Sequence, residues 1–186
     1  MKILGISGSP TAGGNNEYLI DTVLNAAKAR GFETNSVLLS SLKIAPCTAC
    51  GACALGEKCS ISDDMEDVYP KLTDADAIIV ATPVYFGSVT AQIKALFDRS
   101  VLLRRQGFKL KSKLGAAMAV GGSRNGGQEK TIQVVQDWMH IHGMVVTGDG
   151  GHFGGIVKKP AVNDEEGMIT VKDTIENVCD VLEMRK

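Results

Sequence analysis

The chain has 186 residues, with 20 Lys+Arg against 21 Asp+Glu and a formal net charge of −1. That balance lacks the basic excess of a general nucleic-acid binder, and no apolar run approaches the roughly 18 residues of a membrane span. With 44% hydrophobic and 22% charged residues, the composition suits one soluble domain, residues 1–186, with a sizeable core.

Met1-Lys2-Ile3-Leu4-Gly5 runs directly into a strand pattern without a signal-like apolar segment, so a cytoplasmic setting is expected. Lys2–Ile6 reads as a buried strand. Asn15 and Asn16 stand where they would cap a helix over Glu17–Arg30, whose Leu19, Ile20, Val23, Leu24 and Ala27 share a face before Gly31 stops it. Ser36–Leu39 is the second strand. A cysteine-rich loop follows, then a short helix over Asp63–Leu72, where Asp63, Asp64, Glu66 and Asp67 suit the positive end of the helix dipole. Ala77–Ala81 is the third strand, and a helix from Thr90 turns Ile93, Leu96, Phe97 and Val101 inward. Leu114–Val120 is the fourth strand, and Gln128–His142 a helix burying Ile132, Val135 and Met139. Met144–Thr147 is the fifth strand, and a last helix repeats Val171, Ile175, Val178 and Leu182.

Apolar strands alternating with helices predict an α/β fold, a doubly wound five-stranded parallel sheet with right-handed crossovers. With strand order 2-1-3-4-5, the ligand site falls at the carboxyl ends of the strands, where the order reverses. Three loops meet that requirement. The first contains Ser7, Ser9, Pro10, Thr11, Asn15 and Asn16 among small residues, and leads into a helix whose N-terminus favours an anion. It matches neither the GxGxxG fingerprint nor a Walker loop. The second, Pro83-Val84-Tyr85-Phe86-Gly87, offers aromatics for a flat ring and backbone amides for its edge. The third, Gly121-Gly122-Ser123-Arg124-Asn125-Gly126-Gly127, surrounds one arginine that suits a negatively charged ligand. Together they point to a mononucleotide with an aromatic head, FMN, although each alone is compatible with an ordinary turn or surface loop.

Cys47-x2-Cys50-x2-Cys53-x5-Cys59 places four thiols within 13 residues. Structural zinc more commonly joins two knuckles across a longer spacer. Three cysteines at three-residue spacing instead wrap a corner of a cubane, which favours a [4Fe–4S] cluster completed by Cys59, with zinc or a redox dithiol as alternatives.

These motifs resemble the iron–sulfur flavoproteins of methanogens and other anaerobes, flavodoxin-like relatives of NADPH-dependent FMN reductases. The resemblance runs through Ser7-Gly8-Ser9-Pro10, the four cysteines, Pro83-Val84-Tyr85, Lys94-Ala95-Leu96-Phe97-Asp98-Arg99 and Gly121 to Gly127. It continues through Trp138-Met139-His140-Ile141-His142-Gly143 and His152-Phe153-Gly154-Gly155. It implies a flavodoxin-like fold, FMN and a [4Fe–4S] cluster in each subunit, a homo-oligomer of tetramer type, and electron transfer crossing between subunits. Thr11 stands where that family's first loop usually has arginine, so phosphate contacts are expected from Ser7, Ser9, Asn15 and Asn16.

The cysteine loop leaves the second strand, so cluster and flavin are expected to share one side of the molecule. The function expected is electron transfer between a one-electron donor such as ferredoxin and a small-molecule acceptor such as oxygen, peroxide or a quinone. The rivals are an NAD(P)H-dependent FMN or quinone reductase holding zinc, and a redox sensor. No side chain stands out as a nucleophile or proton donor. His140 and His142 read as a satisfied pair at a helix end, Cys179 as a core hydrophobe, and His152 as a weak candidate near the flavin. Arg99, Arg104, Arg105, Lys109, Lys111 and Lys113 form a run of positive charge, read as a solvated face or a docking surface for an acidic ferredoxin or the extra phosphate of NADPH.

Overall fold

The computed structural model describes residues 1–56 and 58–185. Its elements run β1 (Lys2–Ser7), α1 (Asn15–Ala29), β2 (Glu33–Leu38), α2 (Met65–Asp74), β3 (Ala77–Pro83), α3 (Ala91–Arg99), α4 (Val101–Arg105), β4 (Leu114–Gly121), α5 (Gln128–Ile141), β5 (Val145–Val146), β6 (Gly155–Lys158) and α6 (Glu165–Glu183). The paired strands are parallel, in the order β2-β1-β3-β4-β5, with β6 also on β4. This is the doubly wound, flavodoxin-like arrangement expected from the alternation.

The central strands are largely apolar because both faces are covered. Ile3, Ile79 and Met118 face α1 and α6 and pack with Leu19, Ile20, Val23, Val171 and Ile175. Their neighbours Leu4, Ile78 and Ala117 turn the other way, toward Met65, Ile93, Leu96, Val135 and Trp138 of α2, α3 and α5. Among the described residues no helix is long and apolar enough to cross a membrane.

Two expectations change in detail. The side chains of Asn15 and Asn16 do not cap α1: Gly14 is its N-cap, without a side-chain bond, and Asn15 Oδ1 instead accepts from Ala161 N at 2.7 Å. The fifth sheet position is shared by two short strands. β5 pairs with Leu114 and Gly115, and β6 pairs with Met118 to Gly121. Between them, residues 147–154 leave the sheet through a glycine-rich stretch with poor strand propensity. The chain returns at Gly154, where φ is +155° and a Cβ would lie 2.1 Å from the Ala117 carbonyl oxygen, so only glycine fits.

Candidate functional site

At the carboxyl edge of the sheet the three expected loops are tied together. Gly8 N donates to Ala81 O at 2.7 Å, and Val84 N to Val120 O at 2.9 Å. Thr90 both caps α3, accepting from Ile93 N at 3.2 Å, and donates its hydroxyl to Gly8 O at 2.6 Å. Ser9 Oγ accepts from Thr11 N at 3.1 Å and shapes the turn that carries Pro10. The Ser7 hydroxyl and the Asn16 amide oxygen are buried here without a partner among the described residues. One can donate and the other accept, which matches a phosphate and the hydroxyls of a ribityl chain.

In the second loop Tyr85 and Ser88 exchange backbone bonds at 2.8 and 3.1 Å across Phe86 and Gly87, both at positive φ (49° and 83°). The tight turn leaves the Phe86 ring wholly exposed and Tyr85 half exposed. In the third loop the chain itself meets the charge of Arg124: the guanidinium is bonded to Asp164 and lies 3.2 Å from Glu166 Oε2. Gln128, expected only as the start of a helix, also holds the loop in shape with its side chain. Its buried amide donates to Ser123 O at 2.6 Å and accepts from Gly126 N at 2.8 Å. The polar role of Glu17 was missed: its carboxylate accepts from Gly13 N at 2.7 Å and from the Ser40 hydroxyl at 2.6 Å. His152 stands in the glycine-rich stretch between β5 and β6. Its Nδ1 is 2.7 Å from Asp149 Oδ2, which raises its pKa, and it lines an open cavity of about 470 Å³ with Arg124, Gln128 and Glu166.

The cysteine loop has little regular structure beyond one 3₁₀ turn at Ala52–Leu55. Cys47, Cys50, Cys53 and Cys59 nevertheless line one cavity of about 240 Å³, together with Arg99 and Arg105. All four are free thiols. Among the described residues no three of His, Cys, Asp or Glu converge to hold a single metal ion; the thiols surround a space instead. Polar groups already face the sulfurs. Ala49 N lies 3.4 Å from Cys47 Sγ, the Ser60 hydroxyl 3.0 Å from Cys50 Sγ, and Arg105 Nη1 3.1 Å from Cys53 Sγ. The Ser60 hydroxyl, followed by the Ala52 N–H, lowers the pKa of Cys50 and favours the thiolate that binds metal.

A buried ion pair closes the loop. Arg99, 2% exposed, bonds both carboxylate oxygens of Asp63 at 2.8 and 3.0 Å, and also Ala45 O at 3.0 Å and Ile61 O at 3.1 Å. Asp63 in turn accepts from Ala45 N at 2.8 Å and Met65 N at 3.1 Å. One clasp therefore gathers both flanks of the cysteine segment onto the end of α3. The Arg99 hydrogen bond holds Asp63 below the ordinary carboxylate range. Burial, and then the nearby Cys59, push the Tyr69 phenol beside the clasp up to about 12; its hydroxyl donates to Arg99 O at 3.2 Å.

The expected run of positive charge is thus broken up. Arg99 is buried, Arg105 faces Cys53, Arg104 sits 5.1 Å from the centroid of the Phe108 ring, and Lys113 Nζ donates to Thr73 O at 2.9 Å and to Ala75 O. His140 is exposed. His142 is buried, its Nε2 2.8 Å from Ser100 Oγ. That hydroxyl donates to Phe97 O at 2.6 Å and accepts from Trp138 Nε1 at 2.8 Å, so the His142 ring must donate as well. Burial, with Arg104 second, pushes His142 down to about 4. Cys179 is a buried thiol that burial pushes up to about 11, in keeping with a core role.

The expectation that both sites share one side does not hold. The loops of the cradle meet the starts of two helices, at Thr90 before α3 and Gly127 before α5. The cysteine cavity lies instead at the end of α3 and against α4, at Arg99, Leu102 and Arg105, and the apolar recess beside it runs along both helices toward those ends, from Lys94 to Asp98 and from Val134 to Ile141. At 1.5 Å per residue those helices span about 13 Å and about 20 Å. The loop starts at the carboxyl edge but runs down the helical face, because the clasp that gathers its two flanks is at the end of α3.

Fold and strand order together define a flavodoxin-like protein. A WrbA-like flavodoxin of Agrobacterium tumefaciens shares this fold, with a TM-score of 0.67 at 20% identity, covering 100% of this chain and 98% of that one. Residues 1–154 match the NADPH-dependent FMN reductase family. An iron–sulfur flavoprotein of Methanosarcina thermophila is 61% identical over 99% of this chain and 96% of its own length, and one of Methanocaldococcus jannaschii is 44% identical over 100% of both. The chain belongs to the iron–sulfur flavoproteins, within the NADPH-dependent FMN reductase family.

Proposed function

We propose that this chain is an electron-transfer flavoprotein carrying the pair of cofactors its family indicates, FMN and an iron–sulfur cluster of the [4Fe–4S] type. The cradle of Ser7, Ser9, Pro10, Thr11, Asn16, Pro83 to Gly87, Gly121 to Ser123, Gly126 and Gly127 holds FMN, with Asn15 and Arg124 bracing its walls from outside. Cys47, Cys50, Cys53 and Cys59 hold the cluster. The observation that carries this reading is the single cavity lined by all four thiols, with N–H donors at two sulfurs and a hydroxyl in hydrogen-bond contact with a third. FMN exchanges one or two electrons and the cluster one at a time, so the pair links two-electron and one-electron partners. The donor proposed is ferredoxin-like, and the acceptor a small molecule such as oxygen, peroxide or a quinone.

Separation of the two sites along α3 and α5 supports the transfer of electrons between copies in a cytoplasmic homo-oligomer. Phe86 and Tyr85 project from the cradle of one copy. An apolar recess of about 550 Å³ beside Cys47, lined by Phe97, Trp138 and Ile141, is available on another. Exposed aromatics of this kind mark interaction surfaces.

The test is to purify the protein anaerobically and measure iron, sulfide, zinc and FMN per chain. About four irons and four sulfides with one FMN are expected. One zinc without sulfide would overturn the cluster and favour an NAD(P)H-dependent reductase.

A further inference from the structure

Arg99 has more hydrogen-bonding capacity than the clasp uses. A guanidinium offers five N–H donors. Four are spent: Nη1 on Ala45 O and Asp63 Oδ2, and Nη2 on Ile61 O and Asp63 Oδ1. The fifth, on Nε, is buried without a partner among the described residues. A buried N–H with no acceptor is rare and costly, and more so on a charged group. The same side chain, 1% exposed, lines the cavity of the four cysteines.

We propose that Arg99 donates its Nε–H to a sulfur of the iron–sulfur centre and supplies the buried positive charge that makes that centre easier to reduce. The inference rests on the cluster proposed above. Each electron accepted adds one negative charge to the centre. A fixed positive charge in a low-dielectric setting offsets it, and hydrogen bonds to sulfur act in the same direction. Arg105 makes the corresponding contact at Cys53 from the exposed side, where solvent screens its charge. Asp63 is the positioning residue: it neutralises part of the guanidinium charge and fixes its plane with two bonds, leaving Nε turned away from the pair.

The experiment uses anaerobically purified protein whose iron and sulfide have been measured. In an Arg105→Lys background labelled with ¹⁵N-arginine, pulsed EPR of the dithionite-reduced cluster should detect coupling to a guanidinium nitrogen, and adding Arg99→Lys should abolish it. In an EPR-monitored redox titration, Arg99→Gln with full iron content should have a lower midpoint potential than the unsubstituted protein, and Arg99→Lys an intermediate one. A merely structural clasp would change cluster yield and thermal stability but not the potential of the cluster that is loaded. A cluster signal without ¹⁵N coupling, or an Arg99→Gln variant with full iron and an unchanged midpoint, overturns the proposal while leaving the cluster reading intact. Iron and sulfide missing from the unsubstituted protein would overturn that reading instead. If Arg99→Gln fails to load iron, the labelling measurement, made with Arg99 in place, decides alone.

Discussion

At the start of α3, Thr90 reaches across to Gly8 and helps close a cradle made largely of backbone and small side chains. At the end of the same helix, Arg99 reaches across to Asp63 and closes a loop that has one 3₁₀ turn and mostly exposed residues. The cradle inherits its geometry from strands whose registers are fixed by ladders on both sides, so small residues suffice to shape it. The cysteine loop takes no ladder bonds from the sheet after β2, and its described residues are held by the charged clasp, by the Lys43–Asp64 bonds and by side chains such as Ser60 and Arg105. A loop can bear a demanding site when a rigid scaffold holds its ends, but it then becomes a separable unit of lower stability.

That contrast is open to direct attack. Replacing any one of Cys47, Cys50, Cys53 or Cys59 by serine should remove most of the iron while FMN content stays near that of the unsubstituted protein, measured by metal analysis and flavin absorbance. Loss of both cofactors together would show that the two regions are not separable. Asp63→Asn comes next. It leaves the Arg99 charge buried without its anion, a change that costs about 3–5 kcal/mol in comparable pairs, read as a lowered denaturation midpoint with cradle binding of FMN least affected.

The pH dependence separates two groups near the far helix ends. His142 has its pKa depressed to about 4, so the unfolded chain takes up its proton first, near pH 6.5. Stability should therefore fall as pH drops from 6.5 to 4, by on the order of 3 kcal/mol at 1.4 kcal/mol per unit. Denaturant titrations across that range should show the slope, and His142→Gln should flatten it. The Asp63 carboxylate is depressed as well; its contribution is present above the unfolded carboxylate range and lost at still lower pH. The smallest effect belongs to the cradle. Gly87 has φ +83° and open space where a Cβ would go, so Gly87→Ala should cost only backbone strain, about 1–2 kcal/mol. It should weaken FMN binding by titration without reducing iron content.

The sheet and its order were legible because parallel strands covered on both faces read as apolar runs and the helices between them as periodic stripes. The four cysteines that line one cavity stand out in the sequence by their spacing alone. Arg99 was hidden by company: Arg104, Arg105 and the lysines beyond make it look like one charge in a surface run. Its position three residues after Leu96 nevertheless puts it beside the inward stripe of its helix, a signal that charge counting overrode. Asp63 was similarly masked among four acidic residues suited to a helix start, although only its carboxylate pairs with Arg99. The course of the cysteine loop down the helical face was not legible, since it follows from a contact between residues 36 positions apart.

The divided fifth position of the sheet has a consequence for how the protein behaves in a crowded solution. An uninterrupted edge strand presents a row of free backbone donors and acceptors onto which another chain can add, the common beginning of aggregates. Here the edge beyond β4 is a two-residue and a four-residue segment, separated by the glycine-rich excursion of residues 147–154. No template long enough for a stable additional strand is offered on that side. The same excursion that places His152 at the surface therefore also serves as a guard against edge-to-edge association.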